Sequence, residues 1–226
     1  MKLSDFAFAC ALLPAIALAQ RPVTSTVPDK SAPVHGDLYG SGSRGLVLAH
    51  GGRFNKESWK DQATVFANAG FTVLAINFRG DTVYPDGTPN AEGSTPDNAA
   101  DVLASVRYLH AIGMRSVSAI GASLGGDAVG EADVQSKPGE IDHIVFLASS
   151  GADEPEKLKG RKLYIVARGD GNSDGLRITG IRKHFARTPE PKKLVVVEGT
   201  AHAQYLFATS EGPEVMNEIL GFVSAR

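Results

Sequence analysis

Hydrophobic residues in this chain fall into short, nearly continuous runs separated by stretches with helical spacing. The runs that predict strands cover residues 45–50, 71–78, 116–120, 141–148, 162–167 and 193–197. Continuous apolar runs are typical of parallel strands that are covered on both faces. The stretches that predict helices are 56–69, 96–112, 124–135, 177–187 and 211–224. This alternation predicts an α/β fold, with a mostly parallel central sheet and helices on both faces.

The first 33 residues depart from this pattern. Residues 1–19 combine an early lysine, an apolar run and an A-x-A cleavage site, which predicts a secretory signal peptide cleaved after Ala19. The run is shorter than the roughly 20 apolar residues of a membrane span and is interrupted by Pro14, so no stable membrane anchor is expected after cleavage. Residues 20–33, rich in proline, serine and threonine, predict an extended leader before a single domain over 34–226.

Composition and charge exclude several classes of function. The chain of 226 residues has a formal net charge of −2 and no basic run, which gives no support for a nucleic-acid partner. Its one cysteine, Cys10, lies in the predicted signal peptide, so the exported domain has no disulfide framework. Histidines and acidic residues never cluster at metal-ligand spacing, and no metal or other cofactor is expected. Nothing in the sequence indicates a protein partner.

Ser123 lies in a glycine-rich turn, "IGASLGG", between a predicted strand and a predicted helix. Such a sharp turn holds its central residue in a strained conformation and leaves no space for neighbouring Cβ atoms. Gly121, Gly125 and Gly126 provide that space. The G-x-S-x-G pattern predicts a nucleophile elbow, in which the backbone N–H of Leu124 points toward a reacting carbonyl.

Other uses of a glycine-rich turn fit this sequence less well. A dinucleotide site would place the turn after the first strand, whereas here it follows the third main run. The P-loop pattern is absent, and no tyrosine has a lysine four residues later. The simpler alternative is that Ser123 is an ordinary helix N-cap.

A serine hydroxyl needs a base and an acid to act as a nucleophile, and candidates for both follow later strands. Asp170 comes just after the fifth apolar run and His202 just after the sixth. Asp174, in the same loop, and Asp153, after the preceding strand, are alternative acids. The order Ser, Asp, His distinguishes one serine hydrolase fold from the others.

Three segments, "LVLAHGGRFNKESW", "AINFRGD" and "IGASLGG", resemble the α/β-hydrolase superfamily, and the resemblance covers nearly all of the sequence after the signal peptide. It implies a catalytic triad of Ser123, Asp170 and His202. It also implies a second oxyanion N–H from Gly52 or Arg53, beside that of Leu124.

The resemblance further indicates a minimal member of the superfamily. No long insertion separates the runs at 141–148 and 162–167, where many members carry a helical lid. The chain is similar to small uncapped carboxylesterases and to the dienelactone-hydrolase-like group. It differs from true dienelactone hydrolases in having serine in place of cysteine, and from cutinases in lacking disulfides.

Aromatic residues near strand ends are candidates for substrate binding. Phe54 and Tyr205 are two, and Tyr84 is a third if the long loop over 79–95 is a flap rather than a surface excursion. Trp59 is expected to pack a helix, and Arg79 to anchor the loop base through a salt bridge. His50 is expected to shape the oxyanion turn by a hydrogen bond to the backbone. His35, His110, His143 and His184 are expected to be structural or exposed.

Together these observations predict a secreted or periplasmic serine hydrolase that cleaves small-molecule carboxylic esters through an acyl-enzyme. An amidase or peptidase, and an acyltransferase, would use the same triad. A different class of protein, an inert binding protein on the hydrolase scaffold, is the remaining alternative.

Overall fold

A single eight-stranded sheet forms the centre of the protein. The computed structural model describes residues 20–25, 33–79 and 97–225. Within these ranges the strands are β1 (Arg21–Ser25), β2 (Val34–Tyr39), β3 (Arg44–Ala49), β4 (Phe71–Ile76), β5 (Ser116–Ala122), β6 (His143–Leu147), β7 (Arg161–Ala167), β8 (Gly171–Asn172), β9 (Gly175–Leu176) and β10 (Lys192–Val197). The sheet order is β1-β2-β4-β3-β5-β6-β7-β10, and β8 and β9 form a separate hairpin.

Helices cover both faces of the sheet. They are α1 (Lys60–Asn68), α2 (Asn98–Ala111), α3 (Leu124–Gln135), α4 (Arg177–Arg187) and α5 (Gly212–Ser224), with 3-10 helices at Lys56–Trp59, Pro155–Lys157 and Ala203–Ala208. Helices α2, α3 and α4 pack on one face of the sheet. Helices α1 and α5 pack on the other. Over the described residues, no helix combines the length and apolarity required to cross a membrane.

The predicted fold class is confirmed. All six predicted strands are present and pair in parallel, and the strand bounds differ from the predicted ones by at most two residues. Side chains of alternate strand residues point to opposite faces of the sheet and pack into the hydrophobic core on each face. In β3, for example, Leu46 and Leu48 pack with α1 while Val47 packs with α2. Burial on both faces explains why these strands read as continuous apolar runs.

In the central sheet, the sequence pattern did not predict β1 and β2, because polar residues interrupt their apolar runs. Strand β2 pairs antiparallel with β4, and β1 extends the sheet antiparallel to β2. The predicted leader thus contributes an edge strand. In β2 the buried Asp37 accepts hydrogen bonds from Lys56 Nζ and Gln20 Nε2, each at 2.7 Å. Its charge is therefore paired.

Arg79 and Asp101 join the end of β4 to α2. The predicted salt bridge of Arg79 is present: its Nε and backbone N–H donate to the Asp101 carboxylate at 2.5 and 2.9 Å, with both side chains buried. Helix α2 begins at Asn98 with Asp97 as its N-cap, two residues later than predicted. The intervening segment 80–96, including Tyr84, lies outside the described residues, as does the predicted signal peptide.

Candidate active site

Ser123 stands at the turn between β5 and α3 in a strained conformation. Its φ of 49° and ψ of −116° lie outside the regions that ordinary side chains favour. It occupies the N-cap position of α3, but its side chain makes no capping hydrogen bond. The simple N-cap alternative therefore does not account for this serine. A strained backbone at a residue whose side chain does not cap the helix is instead typical of a functional site.

The glycines around Ser123 are required by close backbone contacts. A Cβ on Gly121 would collide with the backbone of Gly125, and one on Gly125 with the carbonyl of Ala49. A Cβ on Gly126 would collide with the side chain of Ser149. These approaches allow α3 to start directly above the end of β5.

Substitution of Gly121 by alanine is expected to destabilise the protein by about 3 kcal/mol, because the obstructing atoms are backbone and have little room to move. Urea unfolding followed by circular dichroism measures this change. Gly221→Ala is the control, since open space surrounds that position in α5 and alanine there should stabilise by about 0.5–1 kcal/mol. Equal stabilities of Gly121→Ala and the wild type would contradict the close-contact account.

His202 and Asp170 complete a hydrogen-bonded series that begins at Ser123. His202 Nε2 lies 2.9 Å from Ser123 Oγ, and His202 Nδ1 lies 2.8 Å from Asp170 Oδ2. An ionised Asp170 carboxylate can only accept, so Nδ1–H donates a hydrogen bond to it, and Nε2 is left free to accept the hydroxyl proton of Ser123. Parallel strands place these residues together because the carboxyl ends of β5, β7 and β10 share one edge of the sheet.

The structure places one of the three candidate acids against His202. Asp170 is buried and also faces Arg177, whose Nε is 3.4 Å from Asp170 Oδ1. Asp174, in the β8–β9 hairpin, and Asp153 are both exposed. Asp170 therefore has the geometry of the orienting acid, and the two alternatives do not.

The turn after β3 lies next to the elbow. Phe54 N–H donates to the Gly51 carbonyl at 2.9 Å, so Gly52 and Arg53 are the central residues of a tight turn. An added Cβ on Gly52 would lie 3.8 Å from Leu124 Cδ2, which shows that the two predicted sources of oxyanion N–H groups are neighbours. His50 Nδ1 lies 2.8 Å from the Gly51 carbonyl, which confirms the backbone hydrogen bond predicted for His50.

A family model for the alpha/beta hydrolase family matches residues 46–217, which include the turn after β3, the elbow, Asp170 and His202. The chain belongs to the alpha/beta hydrolase family. No curated protein matches it significantly in sequence.

Solved structures resemble this α/β hydrolase over most of its length. A dienelactone hydrolase from Anabaena variabilis has a TM-score of 0.70 at 17% identity, covering 92% of this chain and 97% of the other. An esterase from Pyrococcus furiosus has a TM-score of 0.71 at 16% identity, covering 92% of each chain. A CIB-like hydrolase from Thermoplasma acidophilum has a TM-score of 0.66 at 21% identity, covering 91% and 98%. At these identities the likeness shows the fold.

A cleft of about 550 Å³ opens beside Ser123 in this α/β hydrolase. Residues 148–160, between β6 and β7, hold only a short 3-10 helix, so no lid domain covers the cleft at that point, as predicted. Most of the residues that line it are polar or charged, among them Asp127, Glu131, Ser149, Ser150, Asn172 and Asp174. Partial removal from water raises the pKa of Asp127, although a hydrogen bond from Ser149 opposes the shift.

The predicted aromatic residues divide into two groups. Trp59 is completely buried beneath α1, as expected for a packing residue. Phe54 and Tyr205 contact each other edge-on with ring centroids 4.9 Å apart, and Tyr205 is 58% exposed. They flank the turn after β3 and the histidine turn respectively, so both remain candidates for substrate contact.

Two residues near the site carried no clear signal in the sequence. Arg177 contacts Asp170 from the start of α4, and Gln204 donates and accepts hydrogen bonds beside the turn after β3. Both residues are close in sequence to candidate site residues, but the sequence does not reveal their contacts. The hydrogen-bond partners of Gln204 are more than a hundred residues away, and the contact of Arg177 with Asp170 depends on the β8–β9 hairpin between them.

Among the described residues, no three His, Cys, Asp or Glu side chains are grouped to hold a metal ion.

Proposed function

We propose that this protein is an exported serine hydrolase that cleaves carboxylic esters of small molecules through an acyl-enzyme intermediate. The observation that carries the proposal is the hydrogen-bonded series Asp170, His202 and Ser123, with the serine on a strained elbow. Membership of the alpha/beta hydrolase family supports it.

In the first half-reaction, Ser123 Oγ forms a bond to the ester carbonyl carbon while its proton passes to His202 Nε2. The tetrahedral intermediate then breaks its C–O bond to the alcohol, which takes the proton from Nε2. Asp170 holds the imidazole in the required tautomer and stabilises its positive charge. In the second half-reaction, water attacks the acyl-serine by the same proton transfers and releases the carboxylic acid.

The developing oxyanion requires N–H donors that are in place before the reaction. Leu124 is the first residue of α3, so its N–H has no carbonyl partner within the helix. It would act together with the N–H of Gly52 or Arg53 from the neighbouring turn. The positive end of the α3 dipole favours the same charge.

Ester cleavage and export rest on different support. Esterases from Pyrococcus furiosus and Exiguobacterium antarcticum share the fold, which favours esters over amides as the substrate class.

Export to the periplasm or the medium rests on the signal-peptide pattern of residues 1–19. Cell fractionation, with mass spectrometry of the mature N-terminus, tests it. Retention of uncleaved protein in the cytoplasm would contradict export.

The test of function is hydrolysis of p-nitrophenyl esters by purified residues 20–226, together with labelling by a fluorophosphonate probe. Matched p-nitroanilides separate an amidase from an esterase, and product analysis with an added alcohol acceptor reveals acyl transfer. A folded protein that neither labels nor turns over any ester would contradict the proposal and favour a binding role.

The open, polar cleft predicts a preference for short acyl groups. Each methylene group buried in an apolar pocket contributes about 0.8 kcal/mol, or about four-fold in kcat/KM. We expect no such gain from butyrate to decanoate with a constant p-nitrophenyl leaving group, since most of the residues that line the cleft beside Ser123 are polar or charged. A steady rise in kcat/KM with chain length would show that an apolar acyl pocket exists elsewhere.

A further inference from the structure

Gln204 is a buried amide that connects two loops of the candidate active site. It lies two residues after His202 and is 6% exposed. Its Oε1 accepts a hydrogen bond from Gly51 N–H at 3.0 Å, and its Nε2 donates to Ser58 Oγ at 2.7 Å. One side chain of the histidine turn therefore holds both the turn after β3 and the 3-10 helix that follows it.

These hydrogen bonds fix the orientation of the Gly51 peptide groups. The Gly51 N–H is held by Gln204, and the Gly51 carbonyl accepts from Phe54 N–H at 2.9 Å and faces His50 Nδ1 at 2.8 Å. The carbonyl of Gly51 and the N–H of Gly52 belong to one trans peptide and point in opposite directions. Fixing Gly51 therefore also fixes the direction of the Gly52 N–H, and restricts that of Arg53.

The backbone between His202 and Gln204 is held in an unfavourable conformation. Ala203 has φ of 54°, in the left-handed region that favours glycine, and is buried. Such a residue persists only where its surroundings determine the conformation. Here the turn sends the His202 side chain toward Ser123 and the Gln204 side chain toward Gly51, and the contacts of both side chains provide that restraint.

Gln204 also leaves the turn little room to move. A Cβ on Gly51 would lie 3.2 Å from Gln204 Oε1, so the amide is in direct contact with the turn. Loss of the amide would leave the buried Gly51 N–H without an acceptor, and the turn would shift to regain one.

We propose that Gln204 is a positioning residue that holds the N–H groups of the turn after β3 in the geometry of an oxyanion hole. The inference rests on the proposed function, since an oxyanion hole has meaning only in acyl transfer. Gln204 touches no reacting atom and acts through Gly51.

Gln204→Met tests this inference, because methionine has similar length and no amide. We expect kcat to fall by about 10- to 100-fold with little change in KM. This decrease in kcat is at most comparable to the roughly 10²- to 10³-fold decrease caused by removal of a whole oxyanion donor. The inhibition constant of a trifluoromethyl ketone with a matching acyl group should rise by the same factor, since its adduct with Ser123 carries the oxyanion. The apparent pKa in the pH profile of kcat/KM should stay unchanged, because the Ser123–His202–Asp170 contacts remain.

Three further variants separate positioning from stability. Tyr164→Phe removes a buried hydrogen bond to Thr188 away from the site, and should lower the melting temperature without lowering kcat. Gln204→Glu keeps an acceptor for Gly51 and should retain more activity than Gln204→Met. Ser58→Ala releases the other end of the amide and should lower kcat by about 3- to 10-fold. It provides the same test if Gln204→Met does not fold.

Wild-type kcat in folded Gln204→Met, or in folded Ser58→Ala where the methionine variant is lost, would overturn the inference alone. A shifted pH profile with an unchanged ketone inhibition constant would also overturn it, because Gln204 would then act through His202. A wild-type protein that neither labels nor hydrolyses any ester would instead overturn the proposed function, and the inference with it.

Discussion

Ser123→Ala is expected to lower kcat for p-nitrophenyl ester hydrolysis by about 10⁴- to 10⁶-fold. Ser123 Oγ is the atom that lies 2.9 Å from His202 Nε2, and alanine provides no nucleophile in its place. Steady-state kinetics measure the loss, and the fluorophosphonate probe should no longer label the protein. The fold should be retained, since alanine accepts the positive φ of this position about as well as serine does.

Ser150→Ala is the matched control for this prediction. Ser150 lines the same cleft, but the hydrogen bonds of the His202 ring go to Ser123 and Asp170, so loss of the Ser150 hydroxyl should change kcat less than about three-fold. Equal activity of Ser123→Ala and the wild type would show that hydrolysis occurs at another site. Equal loss in both serine variants would point to a general disturbance of the cleft.

Asp170→Asn is expected to lower kcat by about 10³- to 10⁴-fold. An asparagine amide group facing Nδ1 favours the tautomer whose Nε2 carries the proton, and that nitrogen then cannot accept the proton of Ser123. The amide also cannot stabilise the imidazolium that forms during attack. The Asp170 carboxylate is buried, so water does not replace it. Kinetics over a range of pH, with circular dichroism to verify folding, measure this change.

Asp174→Asn separates this role from the general charge of the loop. Asp174 lies four residues later, is exposed, and contacts Asn172 rather than His202. We expect its substitution to alter kcat by less than about three-fold. A large loss in Asp174→Asn with little effect in Asp170→Asn would reverse the assignment of the acid.

The sequence predicted the parallel sheet because burial on both faces requires continuous apolar strands, and this requirement is visible in the residues themselves. The sequence did not predict β1 and β2, because these strands contain polar residues and so lack a continuous apolar run. Asp37 is buried in β2 through hydrogen bonds from Lys56 and Gln20, and these partners cannot be inferred from the local pattern.

The candidate site divides in a similar way. The sequence alone determined the strained turn at Ser123, since glycines at fixed spacing are a local requirement of such an elbow, and it placed Asp170 and His202 directly after strands that share one edge of the sheet. Only the tertiary structure showed which of Asp170, Asp174 and Asp153 lies against His202, and only it revealed Gln204 as a bridge to Gly51. The physical reason is distance along the chain: a hydrogen bond across 153 residues depends on how the strand ends assemble, and no local preference encodes that geometry.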